Sequence, residues 1–230
     1  MSIMSYTNGL DKPSDYFNTV TYTGTGANNT VSHNLSATPD LVWCKQRSTA
    51  NNHYLFDTVR GTTKALFSNL TNAEGTYDST YLNTLGSSSI TWGSSTNVNE
   101  NGITYVNWLW QGDGTGVSNT DGSITSTVSA NTTSGFSIVS YTGTGSAATV
   151  GHGLGVAPSM LIVKNRSASG NWRCYHKSLG ETQLIRLDTT NATLTNPSWN
   201  DTAPTSSVFS IGVNDDVNQN GGTHIAYCFA

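Results

Sequence analysis

Phe17 to Arg47 reads FNTVTYTGTGANNTVSHNLSATPDLVWCKQR, and Phe136 to Arg166 reads FSIVSYTGTGSAATVGHGLGVAPSMLIVKNR. The two stretches stand 119 residues apart and agree at 14 of 31 positions. Chance alone would leave about two such matches, and a repeat of this kind is read first because it sets the architecture. The offset persists downstream. Thr71-Asn72-Ala73 meets Thr190-Asn191-Ala192, and NVNENGITYVNWLW from Asn97 meets DVNQNGGTHIAYCF from Asp216 without a gap. The sequence therefore divides into an N-terminal attachment arm (1–16), a first β unit (17–111), a linker (112–135) and a second β unit (136–230). The linker opens with Gly-Asp-Gly-Thr-Gly, which is turn composition, while its middle, Ile124 to Val128, is apolar enough to add a strand.

Composition assigns the units to a fold class. Ser, Thr, Asn and Gly supply 111 of 230 residues, and only 10% of the chain is charged. These residues are poor helix formers and good turn formers, so the expectation is all-β. Leu, Ile, Val and Phe make up about 20% of the chain, which is low, but 6 Trp and 10 Tyr enlarge the supply of core side chains. A net charge of −4 gives no electrostatic reason for disorder.

Within each unit the strands follow from pattern. Leu41-Val42-Trp43-Cys44 and Met160-Leu161-Ile162-Val163 are continuous apolar runs directly after Pro39-Asp40 and Pro158-Ser159, as expected of central strands covered on both faces. Val106/Ile225, Trp108/Tyr227 and Trp110/Phe229 are apolar at period two, the pattern of a half-buried strand. Phe17–Tyr22, Phe136–Tyr141, His53–Asp57, Trp172–His176 and Val208–Val213 supply more strands. Five or six short strands in each unit predict two tandem, internally duplicated β-sandwich, jelly-roll-like units. The sequence leaves open whether they stand as two sandwiches or pack as one pseudo-symmetric body.

Several residues are candidates for function. Tyr54, Tyr77, Tyr81, Trp172 and Trp199 lie in polar surroundings. Exposed rings with Asn and Asp nearby match the apolar face and polar rim of a pyranose, so Tyr54, Trp172 and Trp199 are candidates for a sugar platform, against the alternative that they pack. Lys45-x-Arg47 and Lys164-x-Arg166 set two cations on one face of a strand end, where they either clamp a carboxylate or sulfate or guard the end against edge pairing. Asp216, Asn218 and Asn220, followed by Gly221, fit the first half of a calcium loop, but Tyr227 stands where the bidentate acid belongs, and an Asn-Gly hairpin explains the same residues. His33 and His152 recur in both units within apolar phases and are read as hydrogen-bonded inward histidines. Tyr-Thr-Gly-Thr-Gly at 22–26 and 141–145 completes no phosphate-loop motif and reads as a glycine turn.

Other classes are disfavoured. Ten scattered Lys and Arg make no basic face for nucleic acid. No apolar stretch approaches a membrane span, and Met1 to Tyr16 lacks the pattern of a secretory signal. Cys44, Cys174 and Cys228 are odd in number and sit in apolar runs, which predicts buried, reduced thiols rather than disulfides or a zinc site. No G-x-S-x-G or H-E-x-x-H motif and no matched pair of acids suggests hydrolytic machinery, so no catalytic residue and no cofactor is expected.

The segments FNTVTYTG, PDLVWCKQR, LFDTVRG and GITYVNWLW, with GFSIVSYTGTG, ATVGHGLGVAPSMLIVKNRS, NWRCYHKSLG, SWNDTAPTSSVFSIG and GGTHIAYCFA, cover nearly all of residues 13–230. In these segments the chain resembles a family of repeat domains in uncharacterised structural proteins of tailed bacteriophages, especially marine ones. The resemblance implies a virion location after synthesis in the host cytoplasm, other virion proteins as partners, and a homo-oligomer with a trimer favoured. It implies a tail-fibre tip or capsid decoration protein without enzymatic activity. A carbohydrate-binding module that recognises a host surface glycan is the alternative, and a glycan depolymerase the weaker one. The short lead-in, without a shaft or collagen-like repeat, favours a decoration or tip protein over a fibre.

Overall fold

A computed structural model of the protein describes residues 12–230. The expected attachment arm lies largely outside the described residues. Its last part, a short 3₁₀ turn at Pro13–Asp15, is tied down by the amides of Ser36 and Gln111, which donate to the carbonyls of Asp15 and Tyr16.

Among the described residues the chain forms nineteen strands and two single-turn helices. The first half holds β1 (Phe17–Thr23), β2 (Asn29–Ser32), β3 (Leu41–Gln46), β4 (His53–Asp57), β5 (Lys64–Phe67), β6 (Gly75–Thr76), β7 (Leu82–Leu85), β8 (Ser89–Trp92), α1 (Thr96–Asn99) and β9 (Thr104–Trp110). The second part holds β10 (Val117–Asn119), β11 (Ser126–Asn131), β12 (Phe136–Thr142), β13 (Ala148–Gly151), β14 (Met160–Asn165), β15 (Arg173–His176), β16 (Gln183–Arg186), β17 (Leu194–Thr195), β18 (Val208–Ile211), α2 (Asp215–Asn218) and β19 (Thr223–Phe229). The fold is all-β, as composition predicts, and its strand ladders are antiparallel.

Two large sheets carry the architecture. One runs β1-β9-β3-β4-β5-β6, and the other runs β10-β11-β12-β19-β14-β15-β16-β17. Six strands of each follow the same order and register at the 119-residue offset: Phe17 pairs with Trp110 as Phe136 pairs with Phe229, and Trp43 faces Trp108 as Ile162 faces Tyr227. The linker is not loose. Its β10 and β11 extend the second sheet beyond β12, whereas β1 pairs only with β9 among the described residues. The small sheets differ too: β2-β8-β7 has three strands and β13-β18 has two. Residues 201–204, opposite β7 at the same offset, include Pro204, which cannot donate to a ladder, and Asp201 at positive φ.

Three cores hold the layers together. One fills the space between the six-stranded sheet and β2-β8-β7, with Val42, Phe56, Ile90, Trp92, Tyr105 and Leu109. A second fills the matching space in the other half, with Val139, Leu161, Val163, Phe209, Ile211 and Cys228. The third joins the two large sheets face to face, with Leu41, Leu55 and Leu66 against Ile138, Ile162, Trp172, Ile225 and Tyr227. The halves are therefore not beads on a string. Their large sheets share a core, and in β9 the more deeply buried side is not the Val106, Trp108 and Trp110 side read from the sequence, whose Trp108 and Trp110 are only partly covered. Tyr105, Asn107 and Leu109 point into the first sandwich, while in β19 all residues from His224 to Cys228 are buried.

Local turns follow the sequence closely. A Cβ on Gly24 would fall 2.1 Å from the carbonyl oxygen of Glu100, and one on Gly143 would fall 2.4 Å from that of Gln219. The Tyr-Thr-Gly-Thr-Gly stretch is thus a turn that lets backbone approach backbone. Asn99 and Asn218 lock it from the other side. Asn218 Nδ2 donates to the carbonyls of Ser146 and Gly212 and its Oδ1 accepts from the amide of Thr144, while Asn99 makes the same three bonds to Ala27, Gly93 and Thr25. His33 and His152 are buried, and each places Nε2 3.1 Å from a carbonyl, that of Gly86 or Thr205.

Candidate functional site

The face of the six-stranded sheet that packs on the second half also carries, beside the shared core, an aromatic cleft. Alternation along β9 puts Val106, Trp108 and Trp110 on one side, and pairing sets Trp43 of β3 directly beside Trp108. His53, the first residue of β4, closes the group, and Trp43, His53, Trp108 and Trp110 line an open cavity of about 280 Å³. Trp43 meets Trp108 edge to face with ring centroids 6.0 Å apart, and Trp110 lies 6.5 Å from Trp43. These are favourable aromatic geometries, so the rings hold one another in place.

One hydrogen bond fixes the cleft's chemistry. Trp43 Nε1 donates to His53 Nδ1 at 2.9 Å. An accepting Nδ1 leaves the imidazole neutral with its proton on Nε2. Burial lowers the His53 pKa, and the positive charge of Lys45 lowers it further. The cleft is apolar with one polar handle, which suits binding of an apolar or amphipathic surface.

The same face in the second half is closed. Trp172, Tyr227 and Ile162, the counterparts of His53, Trp108 and Trp43, pack under the first half. Trp172 Nε1 donates to the carbonyl of Phe67 at 2.8 Å, and Tyr227 donates to Asp57 at 2.8 Å. Asp57 pairs with Arg60, which also reaches Glu74, and Glu74 takes both prongs of Arg166 at 2.8 and 3.0 Å. Burial opposes the charge on Glu74, but the bonds from Arg166 and the charge of Arg60 prevail and hold its pKa below the ordinary value.

The residues singled out from sequence fall in different places. Tyr54, Trp172 and Trp199 are buried, at 4%, 0% and 1% exposure, so they present no ring to solvent. Tyr54 stacks among Phe56, Phe67, Tyr77 and Tyr81, and Trp199 packs on Tyr175. Each of these rings lies in a hydrophobic core, Tyr54 in the first, Trp199 in the second and Trp172 in the one between the sheets. Lys164 is buried, and its ammonium donates to the carbonyls of Thr71, Asn165 and Ala168, while burial depresses its pKa to about 8. Arg166 does clamp a carboxylate, that of Glu74 in its own chain. Lys45 reaches only the carbonyl of Gln46, and Arg47 is exposed.

The residues of the weak calcium-loop alternative are placed as follows. Asp216 is bound by Arg173, Asn218 by the turn described above, and Asn220 is exposed beside Gly221, which takes positive φ. The expected hairpin is a single helical turn, capped by Ser95 or Asn214, followed by the Asn-Gly bend. No group of three His, Cys, Asp or Glu residues able to hold a metal occurs among the described residues. Cys44, Cys174 and Cys228 are free and buried, and burial pushes each thiol up to about 12.

Sequence reading missed the cleft because Trp43 sits in a continuous apolar run, which resembles a strand covered on both sides. It missed a second feature too. Asp40, buried at the start of β3, lines a polar pocket with Asp113. Burial raises its pKa despite bonds from Thr58 and Gly112, and Asp113 adds to the rise. Both oxygens of Asp40 are engaged, one by the Thr58 hydroxyl and the other by the Gly112 amide, so it anchors the start of the linker.

These features define a class: a layered, antiparallel all-β protein whose two large sheets share a core and whose first sheet leaves an aromatic face open. Residues 12–230 match the family defined by the DUF7483 domain, a domain of unknown function, and the chain belongs to that family. No curated protein and no solved structure matches it. No helix among the described residues is long and apolar enough to cross a membrane.

Proposed function

We propose that the protein is a non-enzymatic building block of a bacteriophage particle surface, at a tail tip or on the capsid, and that its outward aromatic face is its contact surface. One observation carries this reading: Trp43, His53, Trp108 and Trp110 form a pre-set, apolar cleft on a rigid sheet, while the other conspicuous polar clusters serve internal packing. A surface of that kind binds rather than reacts. The phage assignment is supported by the resemblance of the repeated segments and by a sparsely charged, Thr- and Asn-rich β fold. Immunogold labelling of purified particles with antibody against this chain tests it. Gold at the tail assigns an appendage role, gold over the head assigns decoration, and unlabelled particles reject the proposal.

The cleft also favours a second reading, a carbohydrate-binding module, because open indole faces suit the apolar face of a pyranose. Host polysaccharide should then quench tryptophan fluorescence, and Trp43→Ala should abolish the quench. Polysaccharide without effect on the wild-type spectrum rejects this reading.

A further inference from the structure

Strand pairing arranges the residues around the aromatic cleft in rows. Thr19, Trp108 and Trp43 pair across β1, β9 and β3 to form one row, and Thr21, Val106, Lys45 and His53 pair across β1, β9, β3 and β4 to form the next. Beyond them Arg47 donates its amide to the carbonyl of Thr104, which pairs with Thr23. Successive rows on one face lie about 7 Å apart. The indoles are thus followed by a row holding a cation and a hydroxyl, and then by an arginine. Thr19, Thr21, Thr23 and Arg47 are exposed, and among the described residues neither Lys45 nor Arg47 forms an ion pair.

The second half shows what such a row holds. Ser140, Ile225 and Lys164 pair in the same register as Thr21, Val106 and Lys45. Over that row Arg166, the counterpart of Arg47, donates from Nη1 to the Ser140 hydroxyl at 3.0 Å and from Nε and Nη2 to the Glu74 carboxylate at 2.8 and 3.0 Å. Arginine, hydroxyl and lysine recur in the first half at the 119-residue offset. The carboxylate does not, since Thr193 stands at the position matching Glu74.

We infer that the first-half face binds an anionic polysaccharide, with one sugar ring on Trp43 and Trp108 and the carboxylate of a neighbouring uronic acid unit held by Arg47 with Thr21 and Lys45. This deepens, and rests on, the carbohydrate reading of the cleft. A carboxylate is the matching anion because a guanidinium grips it with two prongs, as Arg166 grips Glu74. The 7 Å step from the indoles to the next row calls for an oligomer rather than a single sugar. His53 offers a neutral donor at Nε2, and three threonine hydroxyls edge the face, which suits the hydroxyls of a sugar more than an acidic peptide. The chain's net charge of −4 repels polyanions in general, so the attraction is local to Lys45 and Arg47.

Tryptophan fluorescence titrations of the full chain with polygalacturonate, its methyl ester and poly-L-glutamate test it. Polygalacturonate is expected to quench, with an affinity that falls as salt rises. The methyl ester, uncharged on the same backbone, should bind about tenfold more weakly or worse, and Arg47→Ala should weaken polygalacturonate by the same factor while leaving the ester unaffected. Lys177→Ala, at an exposed cation on β15's far end, should change neither. Acid and ester bound equally, with Arg47→Ala without effect, would overturn the inference and leave the carbohydrate reading standing. No quench by either would also overturn it, while host polysaccharide, titrated separately, decides the carbohydrate reading. Equal weakening by Lys177→Ala would reduce the effect to bulk charge and overturn it, and poly-L-glutamate bound as tightly as polygalacturonate would overturn it in favour of an acidic peptide.

Discussion

Trp108 and Tyr227 hold the same place in two sheets of the same order, one at the rim of an open cleft and the other wholly buried. The surroundings of each are built alike, with a partner on β3 or β14 and another on β1 or β12. What differs is the layer above. The second-half face receives a lip carrying Leu66 and Arg60, and its residues match that fate: Tyr227 and Trp172 each present a donor to an acceptor across the joint. The first-half face directs its indole donor sideways, from Trp43 to His53, which satisfies the group without a covering layer. The same strand pattern is therefore interior or surface according to what packs on it, and the placement of donors records which.

The comparison breaks most sharply at Arg60. Arg60→Leu should cost about 3–5 kcal/mol in urea unfolding, because it leaves Asp57 charged, buried and without its guanidinium. A loss below about 1 kcal/mol would mean that the joint does not depend on this network. Next is the arginine pair. Arg166→Ala removes a two-pronged bond to Glu74 and should cost about 1.5–3 kcal/mol, whereas Arg47→Ala, at the matching exposed position, should stay within about 0.5 kcal/mol. Equal effects at the two sites would erase the distinction between the halves.

Asn99 and Asn218 sharpen the comparison from the other side. Their amides make the same bonds at the same offset, so Asn99→Ala and Asn218→Ala should each cost about 1–3 kcal/mol, with similar values by chemical denaturation. Unequal losses would show that the two glycine turns carry different loads.

The smallest effect comes with acid. Glu74 has its pKa lowered in the folded state, so its contribution is present above the unfolded value of 4.5 and is lost as pH falls through the lower folded value. Thermal scans below pH 4.5 should show part of the acid destabilisation missing in Glu74→Gln, which is already weakened at neutral pH. An acid profile identical to the wild type's would remove Glu74 from the account.

Much of this was legible in the residues. Repetition at 119, turn-rich composition and the Pro-led apolar runs predict all-β halves with strands near their observed places. The inward histidines, buried thiols and glycine turns follow from apolar phase and spacing. The candidate site was much less legible. Trp172 and Trp199 read as surface rings because Asn and Ser surround them, yet Trp172 is buried in the core between the sheets and Trp199 in the second core against Tyr175. Trp43 reads as interior because its neighbours along β3 are apolar, yet every second one points to the other side of the sheet.

Taken alone, the sequence determined the all-β class and several of the strands that recur at the 119-residue offset, because strand alternation, turn chemistry and glycine close approach are local properties of a few adjacent residues. Only the tertiary structure decided which parts of the two matching faces are covered. Glu74 and Arg166 are 92 residues apart in sequence, and nothing local to Trp108 or Tyr227 reports whether another sheet lies above it. That depends on how the two sheets are offset in their shared core, which covers Tyr227 completely and Trp108 only in part.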